Sequence, residues 1–325
     1  MNFWYRPLTW RDALWFITLG PLTAIFALLS GIRRAQYRLG QRHACKSEAP
    51  VVVVGNISVG GTGKTPVTLA LVEALQARGL KPAIVSRGYG AQCVDFPRLV
   101  VAKDSASEVG DEPLLLARRA DCPLVIDPER CRGVAYLNEQ FSPDVIISDD
   151  GLQHYAMGRA FEIVVSDAAR GFGNGFLLPL GPLREPVSRL QNVDAHFING
   201  DQSKGFVLQW RAVVNVATAE RVVIEDFDFA EVAYAVAGIG HPARFFDQLA
   251  SHGFNGQYLD FPDHHQFAEG DLPSDGRVLM TEKDAVKCAQ LAHADRCWYI
   301  EVTALWQNNR FNDALDKIVA LVGEQ

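Results

Sequence analysis

The chain has 325 residues, 48% hydrophobic and 21% charged; this is the composition of a globular protein long enough for two domains. Its net charge of −7 argues against a nucleic-acid binder that works by bulk charge. That average hides an asymmetry: residues 1–46 carry seven Lys and Arg against one acid, Asp12, a balance of +6 that leaves −13 for the rest.

From Ala13 to Gly31 the chain runs 19 residues without a charge. As a helix this stretch is about 28 Å long, near the thickness of a bilayer's hydrocarbon core. Arg11 flanks one end and Arg33 and Arg34 the other, and Trp4, Tyr5, Trp10 and Trp15 suit the headgroup level. The run is too long for a signal peptide and lacks a small-residue cleavage site. Gly20-Pro21 interrupts it. Three forms remain open: a transmembrane anchor, a helix or helical hairpin dipping into one leaflet with Arg33, Arg34, Arg38 and Arg42 on anionic lipid, or a buried core helix. The six cysteines form no CxxC pair and do not sit with His at zinc-ligand spacing, so scattered reduced thiols are expected.

Ala49–Val54 is a short β-branched run, suited to a parallel strand buried on both faces. Gly55 breaks it, a Gly-rich loop follows to Thr65, and Val67–Leu75 reads as a helix. This order makes a phosphate cradle: loop N–H groups face an anion and the helix N-terminus adds a favourable field. The loop residues Ser58, Gly60, Gly61, Thr62 and Gly63 would cradle the nucleotide, Lys64 would reach the β- and γ-phosphates, and the Thr65 hydroxyl would bind Mg²⁺. The general GxxxxGK[ST] pattern has Gly where this chain has Ser58.

Ala83–Ser86 is another candidate strand, leading into Arg87-Gly88-Tyr89-Gly90. Gly110-Asp111-Glu112-Pro113 then heads a helix over Leu114–Ala120. By pattern alone, Asp111 or Glu112 is either a proton acceptor near bound phosphates or a helix-capping acid. Asp144–Asp150 is a further apolar strand ending in Asp149 and Asp150, carboxylates placed to hold Mg²⁺. Phe172–Leu183 lacks charge but is too rich in Gly and Pro for a regular helix. Arg184, which closes that stretch, would bind a phosphate bidentately or form an ion pair that holds the loop shut. Segments between about 205 and 233 suggest paired strands. A strand from Ala233 and a helix over Pro242–His252 then suggest a second α/β unit. Thr281-Glu282-Lys283-Asp284 has the outline of a guanine-reading NKxD motif, but its register fails, and it reads as part of that second unit.

Seven blocks, in order, resemble the tetraacyldisaccharide 4'-kinase family: GNISVGGTGKTP (55–66), SRGYG (86–90), GDEP (110–113), DDGLQH (149–154), GNGFLLPLGPLRE (173–185), FPDHHQF (261–267) and TEKDAVK (281–287). Even Ser58 looks like that family's version of the loop. The resemblance implies a P-loop NTPase-like parallel-sheet domain, a second, smaller α/β domain closing an active-site cleft, and an N-terminal membrane-associated helix. We divide the chain accordingly at 1–35, 36–205 and 206–325. It also implies an ATP- and Mg²⁺-dependent kinase on the cytoplasmic face of a bacterial inner membrane. That kinase phosphorylates the 4'-hydroxyl of a lipid A disaccharide 1-phosphate, with no nucleic acid and no obligate protein partner. The family's base is an aspartate paired with a histidine. This carries over to Asp111, with His264 or His265 beside it, Asp263 fixing the imidazole tautomer, and Asp149 and Asp150 on magnesium and the phosphate side.

Overall fold

The computed structural model describes residues 2–323, with the side chains of Asn2 and Arg11 outside that description. In chain order its main elements are α1 (Ala13–Arg38), β1 (Val51–Gly55), α2 (Lys64–Ala77), β2 (Pro82–Ser86), β3 (Arg98–Val100), α3 (Ala106–Val109), α4 (Asp111–Arg119), β4 (Leu124–Ile126), α5 (Arg130–Phe141), β5 (Val145–Asp149) and β6 (Phe161–Asp167). After these come β7 (Ala195–Asn199), β8 (Gly205–Asn215), β9 (Arg221–Val223), β10 (Val232–Ala237), α6 (Pro242–Ser251), β11 (Gln257–Asp260), β12 (Arg277–Thr281), α7 (Glu282–Cys288), β13 (Cys297–Trp306) and α8 (Arg310–Gly323).

These elements form two compact units, and neither is continuous in sequence. The first holds the chain up to Arg87, Asp127–Val207 and Trp306 onward; the second holds Gly88–Ile126 and Leu208–Leu305. The expected boundary at 206 lies close to the crossing at Val207/Leu208, whereas Gly88–Ile126 and the chain from Trp306 depart from a division into consecutive stretches. The helix that begins at Asp111 packs on α7, which places it in the second unit, and α8 returns to pack on α2 in the first.

In the first unit the strands run β7-β6-β1-β5-β2, all parallel. The β-branched runs Val51–Val54 and Val145–Ile147 are buried throughout, as strands covered on both faces must be. Val54 pairs with Asp149, so the loop after β1 and the carboxylates ending β5 leave the sheet side by side. Phe197, Phe206, Trp306 and Phe311 form an aromatic cluster that anchors α8, with Phe197 and Trp306 ring centroids 4.8 Å apart.

In the second unit β11, β10, β12 and β13 are parallel, β8 lies beside β13, and β9 pairs antiparallel with β8. The strand pair and the strand-helix order expected after residue 205 are thus present. β3 and β4 pair antiparallel.

α1 is one continuous helix through Pro21, so the hairpin form is not adopted. It is long and apolar enough to cross a membrane, and none of its apolar stretch is buried inside the protein, which removes the core-helix alternative. Its apolar part contacts the Gly/Pro-rich segment 172–183: Phe16 meets Phe176 edge-on at 5.3 Å, and Thr23 Oγ1 accepts from the Leu180 N–H at 3.1 Å. Ahead of the helix, Trp4 donates to the Pro179 carbonyl.

Cys45 and Cys131 form a disulfide, with Cα atoms 6.0 Å apart, which corrects the expectation that all six thiols are reduced. The partners lie 86 residues apart, and the Cys45–Met157 bridge brings them to the same place, so no local spacing announces the pair.

Phe197 is 1% exposed. Phe197→Ala should cost roughly 3–5 kcal/mol, read as a lowered urea midpoint. A midpoint within error of wild type would show that the aromatic cluster does not anchor the first unit.

Candidate functional site

The loop after β1 is tied down by its carbonyls. Asn56 Nδ2 donates to the Gly60 carbonyl at 3.2 Å, Arg170 donates to the Gly61 carbonyl, and Asn199 Nδ2 donates to the Thr62 carbonyl at 3.3 Å. In a trans peptide C=O and N–H point opposite ways, so fixing three consecutive carbonyls presents the following N–H groups as a nest for an anion. Gly63 closes the nest with φ +95°, and a Cβ there would sit 2.9 Å from Asn199 Nδ2; no other residue type fits without displacing that side chain. Ser58 forms an extended bridge with Leu183 and is not among the residues with positive φ. A side chain is therefore admissible at position 58, and Gly60 and Gly63 carry the left-handed turns.

Lys64 opens α2 and its Nζ lies 3.4 Å from Asp150 Oδ1. Arg184 approaches the other oxygen of Asp150 at 3.2 Å. Burial works against the Asp150 charge, but Lys64 and Arg184 outweigh it and hold the carboxyl below its ordinary pKa. Asp149 is 2% exposed; the Thr68 hydroxyl reaches its Oδ1 at 3.4 Å, and Arg130 donates to its carbonyl at 2.7 Å. Two carboxylates at the end of β5 and the Thr65 hydroxyl at the start of α2 are hard oxygen donors, the type Mg²⁺ prefers.

Arg184 is set by its neighbours. Its own N–H donates to the Ile57 carbonyl at 2.7 Å, and Glu185 is buried among Gln153 at 2.9 Å, Tyr155 at 2.5 Å, Arg189 at 3.3 Å and Arg34 at 3.5 Å. Gln153 also donates to the Asn56 carbonyl at 3.0 Å, which ties this network to the phosphate loop. His154 lies in a cationic neighbourhood. Burial, then the charges of Arg130, Arg33, Arg159 and Arg87, hold its pKa down at about 4. Arg130 is 2% exposed, and its Nη1 has no hydrogen-bond partner; burial lowers its pKa only to about 10, so it stays charged at neutral pH. Such a cluster is suited to an anion.

The second unit carries the other group. Asp111 heads α4, following Gly110, whose φ is +90° and whose Cβ would lie 2.6 Å from the Tyr89 carbonyl oxygen. Asp111 Oδ2 is 2.9 Å from His264 Nδ1, and the Tyr89 ring packs on His264 with centroids 5.6 Å apart. His265 turns elsewhere: its Nε2 is 2.9 Å from Asp271, and its ring packs between Phe261 and Phe267. Asp263 stands 4.0 Å from His264 Nε2, beyond direct hydrogen-bond reach; the imidazole is oriented through Nδ1 by Asp111.

A family model described as Tetraacyldisaccharide-1-P 4'-kinase matches residues 15–320. The chain belongs to this family. Among its relatives, the tetraacyldisaccharide 4'-kinase of Aeromonas salmonicida is 45% identical over 98% of this chain and 96% of its own length. The one from Pseudoalteromonas atlantica is 47% identical over 87% of this chain and 94% of its own. Among solved structures, LpxK from Aquifex aeolicus, crystallised in complex with ATP, has a TM-score of 0.79 at 24% identity, covering 93% of this chain and 98% of that one. That likeness establishes the fold: α/β, mostly parallel, with an N-terminal apolar helix.

Of the residues singled out on this kinase family's motifs, Lys64, Asp150 and Arg184 come together in the first unit and Asp111 and His264 in the second; His265 joins neither group. Sequence reading passed over Arg170 and Asn199, which fix loop carbonyls, because single polar residues far from a motif give no local signal. Asn56, Gln153 and Glu185 lie inside recognised blocks, but their hold on the loop and their shared network are visible only in three dimensions.

His154 offers a pH test. Between its folded pKa of about 4 and the ordinary 6.5, the unfolded chain binds a proton that the folded chain refuses. Stability therefore falls as pH drops through this window, by about 1–3 kcal/mol. His154→Gln should flatten the acid side of the urea-midpoint curve from pH 6.5 to 4. Parallel curves for the two proteins would contradict the assignment.

Proposed function

We propose that this protein transfers the γ-phosphoryl group of ATP to the 4'-hydroxyl of tetraacyldisaccharide 1-phosphate, giving lipid IVA in lipid A biosynthesis. The observation that carries this reading is the 2.9 Å pairing of Asp111 with His264 on a chain that also has a phosphate loop. The loop alone would also serve a nucleotide switch or a plain ATPase; the Asp111–His264 pair, carried on this kinase family's GDEP and DHH blocks, supplies a proton acceptor for an attacking hydroxyl.

The first unit holds the nucleotide. Loop N–H groups and Lys64 bind its phosphates, and Arg184 adds charge to the same network. Thr65, Asp149 and Asp150 would hold Mg²⁺, which would supply charge neutralisation for the phosphates when bound. The second unit supplies the base. An Nδ1–H on His264 donates to Asp111 and fixes the direction of its carboxylate. Asp111 then takes the proton of the attacking hydroxyl as the new O–P bond forms and the bond from the γ-phosphorus to its bridging oxygen breaks. The cationic neighbourhood of His154, Arg33, Arg87, Arg130 and Arg159 accepts a phosphate group of the substrates.

The substrate class explains α1. Drawing acyl chains out of a bilayer costs about 0.8 kcal/mol per exposed CH₂, so the enzyme works at the membrane. α1 and its arginines seat it on the cytoplasmic face of the inner membrane, the side that holds ATP. No obligate protein partner is needed.

Incubating the purified protein with γ-labelled ATP, Mg²⁺ and tetraacyldisaccharide 1-phosphate in detergent should give a labelled lipid, and chelating the metal should stop its formation. ATP hydrolysis without labelled lipid would contradict the kinase reading and favour a switch. Label appearing instead on a polar sugar acceptor would move the substrate away from lipids.

A further inference from the structure

The TEKDAVK segment has no part in the chemistry so far, yet it touches both ends of the Asp111–His264 pair. Three consecutive residues at the start of α7 each hold a different point around the pair. Glu282 accepts two hydrogen bonds from Arg119 Nη1, at 2.8 and 3.0 Å, in the last turn of α4. Lys283 pairs with Glu112 in the first turn of α4, the residue next to Asp111. α4 is therefore gripped near both ends by adjacent side chains of one short helix.

Asp284 holds the histidine's side. It is fully buried, and its Oδ2 accepts from the Thr281 hydroxyl at 2.6 Å and from the Gly238 N–H at 3.0 Å. The Gly238 carbonyl in turn accepts the His264 N–H at 3.3 Å. The other Asp284 oxygen faces Lys287 Nζ at 2.8 Å, an ion pair sealed from solvent. His264 itself sits at φ +60°, a left-handed conformation that a non-glycine residue keeps only when its surroundings impose it. The Asp284–Gly238–His264 chain is part of that imposition.

We infer that α7 sets the geometry of the Asp111–His264 pair, with Lys283 as the positioning residue on the aspartate's side and Asp284 on the histidine's. This rests on the reading of Asp111 as the base. The motif that resembles a guanine reader is thus a brace. Its lysine lies in a field of carboxylates. Burial works against the Lys283 ammonium, but Glu112, then Asp111 and Asp263, outweigh it and hold its pKa above the ordinary lysine value.

The experiment compares wild type, Lys283→Met, Lys283→Arg and Asp111→Asn in the lipid kinase assay. It reads kcat and KM for ATP, with thermal melts as the folding control. Lys283→Met should lower kcat about tenfold to a hundredfold, since small misplacements of a base are costly. KM for ATP should stay within about twofold, because the loop that grips the nucleotide is untouched. Lys283→Arg, which keeps the charge, should recover most of the rate. If Lys283→Met loses its cooperative melt, Lys283→Gln replaces it in the same comparison. Wild-type kcat in Lys283→Met, beside an inactive Asp111→Asn, would overturn the brace alone. A rate loss with no rescue by arginine, or one matched by an equal rise in KM for ATP, would also overturn it. Wild-type kcat in Asp111→Asn would instead remove the base assignment on which the brace rests.

Discussion

Asp150 stands between two cations, Lys64 at 3.4 Å and Arg184 at 3.2 Å, and the arrangement of the first unit follows from keeping those three charges together. Each arrives on a different element. Asp150 follows the buried strand β5, Lys64 opens α2, and Arg184 closes the apolar Gly/Pro-rich segment. Neither cation can be left unpaired in a partly buried place without cost. Under the proposed reading, the carboxylate holds both ready until nucleotide phosphates offer a stronger partner. The depressed pKa of Asp150 is the sign that the cations prevail over burial.

Arg184 also lies on the path that joins α1 to the phosphate loop. The segment that ends at Arg184 is packed against α1 through Phe176 and Leu180. It meets the loop through the Ser58–Leu183 bridge and the Arg184 N–H on the Ile57 carbonyl. Glu185 continues the link, since Arg34 of α1 and Gln153 of the site share its carboxylate. Under the proposed reading, an element that meets lipid is one packed segment away from an element that grips ATP. The uncharged segment 172–183 needs its Gly and Pro residues for this, because a regular helix or strand would not make both contacts.

Much of this was legible in the chain. The β-branched run Val51–Val54 and the glycines after it can scarcely form anything but a buried parallel strand and a phosphate loop, and the strand ending in Asp149 and Asp150 follows by the same logic. Ser58 was legible only as a departure. The structure supplies the reason: position 58 is extended, so glycine is not required there. Other features depend on contacts that no local pattern encodes. The chain enters the second unit at Gly88, leaves after Ile126 and returns at Leu208, and a reading that divides a sequence into consecutive stretches will miss such a path. His264 and His265 are equivalent as letters, and only their partners, Asp111 and Asp271, separate them. The Cys45–Cys131 disulfide likewise depends on a chain reversal near Met157.

The central claim is a division of labour, in which the first unit grips the nucleotide and the second removes a proton. Titration calorimetry of Mg-ATP into wild type, Lys64→Met and Asp111→Ala, set beside turnover of the lipid acceptor, tests it most directly. The account predicts that Lys64→Met loses binding and turnover together, whereas Asp111→Ala binds Mg-ATP with wild-type affinity and loses turnover by about two to four orders of magnitude. An Asp111→Ala protein that fails to bind Mg-ATP, or one that binds and turns over normally, would contradict it.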